Sequence, residues 1–113
     1  MRREIQKHIQ LGIIMTTINP EKQNKHILSS SGYVEGRSYL LDNVNAQALV
    51  DKYHGTGRAE FSRSGIWISK EFVIADKDIG VNINLKTGEQ TITNRFIIHY
   101  SKTGAHIVPT LKG

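Results

Sequence analysis

The sequence predicts an α+β domain in which N-terminal helices pack on one face of a four-stranded antiparallel meander. Two capped segments at helical spacing precede Gly57, alternation of apolar and polar residues follows it, and only three or four residues separate the alternating runs. Strands joined that briefly lie antiparallel and adjacent. At 113 residues and 38% apolar content, the chain can bury one core without disulfides.

Residues 1–18 leave two conformations open. Ile5, His8, Ile9 and Gly12 follow a helical spacing, whereas 12–18 favours extended chain. Asn19-Pro20-Glu21 then starts a helix, with Asn as cap and Pro at the first helical position, running to about residue 28 and stopping in Ser29-Ser30-Ser31-Gly32. A second helix is capped by Asn45, repeats Ala46, Leu49, Val50 and Tyr53, and ends at Gly55. Four strands follow over 66–75, 79–85, 90–100 and 105–109.

Alternation sorts the faces of those strands. Phe96, Ile98 and Tyr100 point to the core, while Thr93, Arg95, Ile97 and His99 point away. Ala105 and Ile107 join the core row, and His106 and Val108 the open one. On the first strand Ile66, Ile68, Phe72 and Ile74 suit the core although Lys70 interrupts them, leaving Trp67, Ser69, Glu71 and Val73 opposite. The open face thus gathers Glu71, Thr93, Arg95, His99 and His106, with Glu71 read as a salt-bridge partner rather than a base.

Composition excludes several chemistries. With no cysteine, the chain has no disulfides, thiolate metal sites or cysteine nucleophile. No apolar run approaches the ~18–20 residues of a membrane span. Signatures of zinc proteases, phosphate-binding loops and serine elbows are missing, and Gly55-Thr56-Gly57 reads as a helix stop. Three histidines without a carboxylate at helical i, i+4 spacing are a poor zinc site. Neither a metal nor another cofactor is expected.

Charge points elsewhere. The net +5 is concentrated at the two ends: 1–25 carry five Lys/Arg and two Glu, and 86–113 carry four and one. His8, His99 and His106 lie in those ends and His26 just beyond the first. A surface built from both would meet a polyanion, above all nucleic acid. Metal-free His, Arg, Lys and Thr are what RNA transesterification needs: proton transfer from the 2′-OH and to the leaving 5′-oxygen, and fixed cations for the phosphorane charge. Histidine suits both transfers and arginine suits phosphate. Lys22, Gln23 and His26 fall on one side of a helical turn, and Arg95 and His99 share a strand face. His8 and His54 join no cluster.

An ordered series of motifs resembles one family. Glu21-Lys22-Gln23-Asn24-Lys25-His26-Ile27 is similar to its first motif. Glu35-Gly36-Arg37-Ser38, Leu49-Val50-Asp51-Lys52-Tyr53 and Gly55-Thr56-Gly57 resemble its middle. Thr93-Asn94-Arg95-Phe96 and 98–109, with Lys102 and His106, resemble its last block. The family is the type 50 polymorphic toxin domain, bacterial toxin 50, also found at the C-terminus of tailed-phage minor head proteins. The resemblance implies a ribonuclease of the barnase, EndoU, colicin and RelE fold group over 18–113, with 1–17 as an N-terminal extension. By position, Lys22, Gln23 and His26 match the family's first motif and Arg95, His99 and His106 its last; His26, His99, His106 and Arg95 are expected as catalytic, and Lys22, Gln23, Thr93, Arg37 and Lys102 as substrate-binding. His99 and His106 are the leading acid–base pair, in an order left open, with His26 in reserve. RNA is the expected substrate and an acidic immunity protein a partner, with no membrane and no nucleotide cofactor. The expected location is the cytoplasm of a target or host bacterium, or a phage or prophage. Two alternatives stand beside the enzyme: a non-catalytic nucleic-acid-binding or head-morphogenesis domain of a phage protein, and a module that binds an acidic protein.

Overall fold

The two conformations left open for the N-terminus are both used, in succession. A computed structural model describes residues 2–113. Helix α1 (Arg2–Gln10) buries Ile5, brings Ile9 against the core and lies on strand β2 (Arg58–Phe61). The chain then extends: Ile14 is buried, Met15 N–H donates to Ser101 O (3.1 Å), and Ala105 N–H donates to Thr17 O (2.8 Å). Residues 2–17 are therefore built into the same core as the rest.

Helix α2 (Pro20–Asn24) starts as the sequence predicts, the Asn19 side chain accepting from Lys22 N–H (3.2 Å). It stops earlier than residue 28, because His26 N–H and Ile27 N–H bond back three residues, to Gln23 O and Asn24 O, and the helix tightens into turns. Strand β1 (Tyr39–Leu40) follows, then helix α3 (Ala46–Tyr53), whose Asn45 cap accepts from Ala48 N–H (2.9 Å) and whose Val50 is fully buried.

The remaining strands are β3 (Trp67–Ile74), β4 (Gly80–Ile83), β5 (Gln90–Thr93), β6 (Arg95–Ser101) and β7 (Gly104–Pro109). All named pairings are antiparallel, but they form two sheets, β2-β3-β6-β7 and β1-β4-β5, rather than one meander of consecutive strands. The predicted strand over 90–100 breaks at Asn94. The Thr93 hydroxyl donates to Thr110 O (2.8 Å) and accepts from Arg95 N–H (3.0 Å), while Asn94 Nδ2 donates to Ala75 O (3.0 Å). These bonds turn the chain from one sheet into the other.

The face of β3 is also reversed from expectation. Val73 pairs with Phe96 and Glu71 with Ile98, so Trp67, Glu71 and Val73 face the core, while Ile66, Ile68 and Ile74 are exposed. Register against β6 decides the phase, and a shift by one residue exchanges the faces. Ser69, at φ 62°, marks an irregularity beside the shift in the β2–β3 register.

Glu71 accordingly leaves the open face. Fully buried, its carboxylate accepts from Gly55 N–H (2.9 Å), Gly57 N–H (2.6 Å) and the Tyr100 hydroxyl (2.6 Å). Burial first, and then this carboxylate, push the Tyr100 phenol far up, keeping it a donor. The Gly-Thr-Gly segment is a helix stop and also a cradle for this anion. Gly55 has φ 81°, and a Cβ on Gly57 would strike Phe72 O.

Candidate active site

Antiparallel register sets His99 of β6 opposite His106 of β7, and their rings stack with centroids 4.7 Å apart and planes 10° from parallel. His26 follows α2 in sequence and its ring also stacks on His106, 6.0 Å away at 14°. Gln23 explains how a residue from the N-terminal third arrives there. Its Nε2 donates to Ile107 O (3.0 Å) and its Oε1 accepts from Ile107 N–H (2.6 Å), so the amide pairs with the β7 edge as another strand would. Gln23, expected as a substrate contact, is buried with both amide ends engaged by Ile107.

His26 is held in one tautomer. Its Nδ1–H donates to Ser38 O (2.8 Å), because a carbonyl only accepts, and this leaves Nε2 as the acceptor. Burial lowers the pKa of all three rings. His99 falls to about 4 through burial and then the charges of Lys70, His26 and Lys22. His106 falls to about 4 through burial and then His99, His26, Lys22 and Lys25. For His26 burial and the charges of Arg37 and Lys25 outweigh the bond to Ser38. The histidines are therefore neutral at pH 7 and feel the charges of Lys22, Lys25, Arg37 and Lys70.

That electrostatic arrangement has a consequence for stability. Unfolded imidazoles titrate at 6.5 and the folded pair near 4, so between those values the unfolded chain binds more protons. Stability is full above the unfolded value and falls as pH drops toward the folded one. The slope is at most about 1.4 kcal/mol per pH unit for each ring, and less because both are partly open to water. Urea midpoints should decline from about pH 7.5 to 4.5 and flatten in a His99→Gln/His106→Gln variant. An undiminished slope in that variant would assign the titration to other groups.

Other expected site residues lie elsewhere. Arg95 shares the open face but sits four residues along β6 from His99, about 13 Å by strand rise, with its guanidinium against Gly113. The sequence expected it at the reacting phosphate; the extended strand places it at the far end of the sheet. Thr93, expected as a substrate contact, is buried at the sheet junction with its hydroxyl donating to Thr110 O. Lys102 stands at the exposed tip of the β6–β7 hairpin. Arg37 is exposed and its charge reaches His26. His8 stacks edge-on against Trp67 (4.9 Å) and His54 bonds Val50 O (2.7 Å), both away from the cluster. Lys70, opposite His99, was missed. Its signal was the interruption of an apolar row, which marks the open face rather than a flawed core.

The comparison with known families coincides with this geometry. Residues 18–109 match the bacterial toxin 50 family. The chain belongs to that family. Its matched segment begins at Ile18, which bridges to Ala105, and contains the whole histidine stack. None of the curated proteins matches the chain. Among the described residues of this toxin-family domain, no group of three or more His, Asp or Glu is placed to hold a metal ion, and no helix is long and apolar enough to cross a membrane.

Proposed function

We propose that this bacterial toxin 50 domain is a metal-independent endoribonuclease that cleaves RNA by 2′-OH transesterification. The observation that carries the proposal is the stack of three imidazoles, neutral at pH 7, that feel the charges of four cationic side chains. His26, with Nε2 as the acceptor, takes the 2′-proton; the 2′-oxygen attacks the adjacent phosphorus, and the bond from phosphorus to the 5′-oxygen breaks. His106 and His99 titrate as a pair. The negative charge of the arriving phosphodiester raises their proton affinity, the pair takes up one proton from water, and it delivers that proton to the 5′-oxygen as the bond to phosphorus breaks. Lys22, Lys25, Arg37 and Lys70 stabilise the charge that builds on the phosphorane. The products are a 2′,3′-cyclic phosphate and a free 5′-hydroxyl. An acidic immunity protein that closes this basic face is the partner such a toxin domain fits.

The test is incubation of total RNA and transfer RNA with the protein in excess EDTA. Fragments ending in 2′,3′-cyclic phosphate are expected. Intact RNA after long incubation with folded protein at micromolar concentration would sink the enzyme. Salt-sensitive binding without turnover, equal for DNA, would leave a nucleic-acid-binding module.

A further inference from the structure

We infer that Arg58 and Arg95 form a second phosphate subsite, which holds the same RNA strand at a phosphate beyond the one being cleaved. The inference rests on the ribonuclease proposal for its substrate, but its evidence is separate. Arg58 donates from Nη2 (3.0 Å) and Nε (3.3 Å) to the main-chain oxygen of Gly113, a forked grip on one acceptor. Arg95 reaches the same residue, close enough that a Cβ on Gly113 would overlap its guanidinium. Among the described residues neither arginine pairs with an acidic side chain. The Gly113 oxygen stands where a phosphate oxygen would bind.

Geometry separates this subsite from the histidines. Arg58 pairs with Phe72, Phe72 with Ile97, and Ile97 lies two residues from His99. Two strand spacings and two residues of rise put Arg58 about 12 Å from His99, and Arg95 is about 13 Å away along its own strand. One phosphate cannot span that gap, so the arginines take another phosphate of the strand. The intervening face suits a nucleic acid: Lys70, Phe72 and Ile74 on β3, Ile97 and His99 on β6, and His106 and Val108 on β7 include no acidic side chain, and Glu60 lies two residues from Arg58 on the flanking β2.

The subsite is also shaped. Arg58 lies over the buried Phe72 ring at 4.6 Å, which fixes the guanidinium as a flat platform for a base. Beside it is a cleft of about 340 Å³ lined by Thr56, Gly57, Arg58, Phe72, Ile74 and Gly113, within the range of small-ligand sites.

Binding of 2′-O-methyl oligoribonucleotides tests the subsite without turnover, since their 2′-oxygens carry no proton to remove. The ratio of affinities for a pentanucleotide and a dinucleotide should fall about tenfold in Arg58→Gln and in Arg95→Gln. The salt slope for the pentanucleotide should drop by about 0.7 for the lost phosphate. Arg58→Lys, which keeps charge but loses the fork, should fall between. Deleting Gly113 should tighten pentanucleotide binding. Equal losses on both oligonucleotides, no loss on either, no binding by the wild type, or unchanged binding after the deletion would each overturn the subsite. Absence of cleavage in the EDTA assay with this binding pattern intact would instead remove the ribonuclease and leave the subsite standing.

Discussion

His106→Ala should lower the rate of RNA cleavage by about 10²–10⁴ while leaving the affinity for an uncleavable 2′-O-methyl oligonucleotide within about threefold. His106 stacks on both other rings, 4.7 Å from His99 and 6.0 Å from His26, so its loss removes one proton donor and the ring that both others contact. Binding survives because the cations that attract phosphate belong to other residues: Lys22, Lys25, Arg37 and Lys70. The measurement is single-turnover cleavage with binding followed in parallel. A His26→Ala variant should show a comparable loss, with the Ser38 carbonyl no longer aligned with a ring. If His26, His99 and His106 can each be replaced by alanine with no change in rate, imidazole acid–base catalysis is wrong and the basic face serves only to bind.

Glu71→Ala should destabilise the fold by about 3–5 kcal/mol, the size expected when a buried charge is removed and its donors are orphaned. Gly55 N–H, Gly57 N–H and the Tyr100 hydroxyl all point at this carboxylate, and alanine would leave them facing a cavity. For a domain of this length that is a fall in Tm of roughly 10–25 °C. Glu71→Gln is nearly the same shape but turns an NH₂ toward one of those donors, so it too should be destabilised. Tyr100→Phe, which removes one donor and leaves the two backbone bonds, should cost only about 1 kcal/mol. Denaturant melts of the three variants give the ranking. A cost under about 1 kcal/mol for Glu71→Ala would mean that the three hydrogen bonds to this carboxylate contribute little to the fold.

Legibility in the sequence follows the range of the interaction. Helix α3 was readable at both ends, since the Asn45 cap and the Gly55 stop act within one turn of the residues they govern. The rows of β6 and β7 were readable too: their apolar residues alternate without interruption, and Phe96, Ile98 and Ile107 are all fully buried. On β3 the more apolar row, Ile66, Ile68, Phe72 and Ile74, suggested the core, yet it is the row of Trp67, Glu71 and Val73 that faces it. Pairing with β6 chose between them, sending Val73 inward with Phe96 and leaving Ile74 exposed. The break at Asn94 was invisible for a related reason. Residues on both sides of it are extended, and only the bonds to Ala75 and Thr110 show that they belong to different sheets.

Local chemistry and chain pattern thus determined the α+β class, the basic ends, the histidine candidates and the core rows of the last two strands. Tertiary structure decided which candidates meet. Gln23 and Ile107, 84 residues apart in sequence, exchange two hydrogen bonds that bring His26 to His106. The extended rise of β6 holds Arg95 away from both and leaves its guanidinium against Gly113, which Arg58 also contacts. Side-chain period is a property of neighbouring residues, so a sequence displays it. The pairing of a glutamine with a strand edge, or the burial of Glu71 under two backbone N–H groups, depends on where distant segments come together. Such contacts are decided by packing and by the need to satisfy every buried polar group.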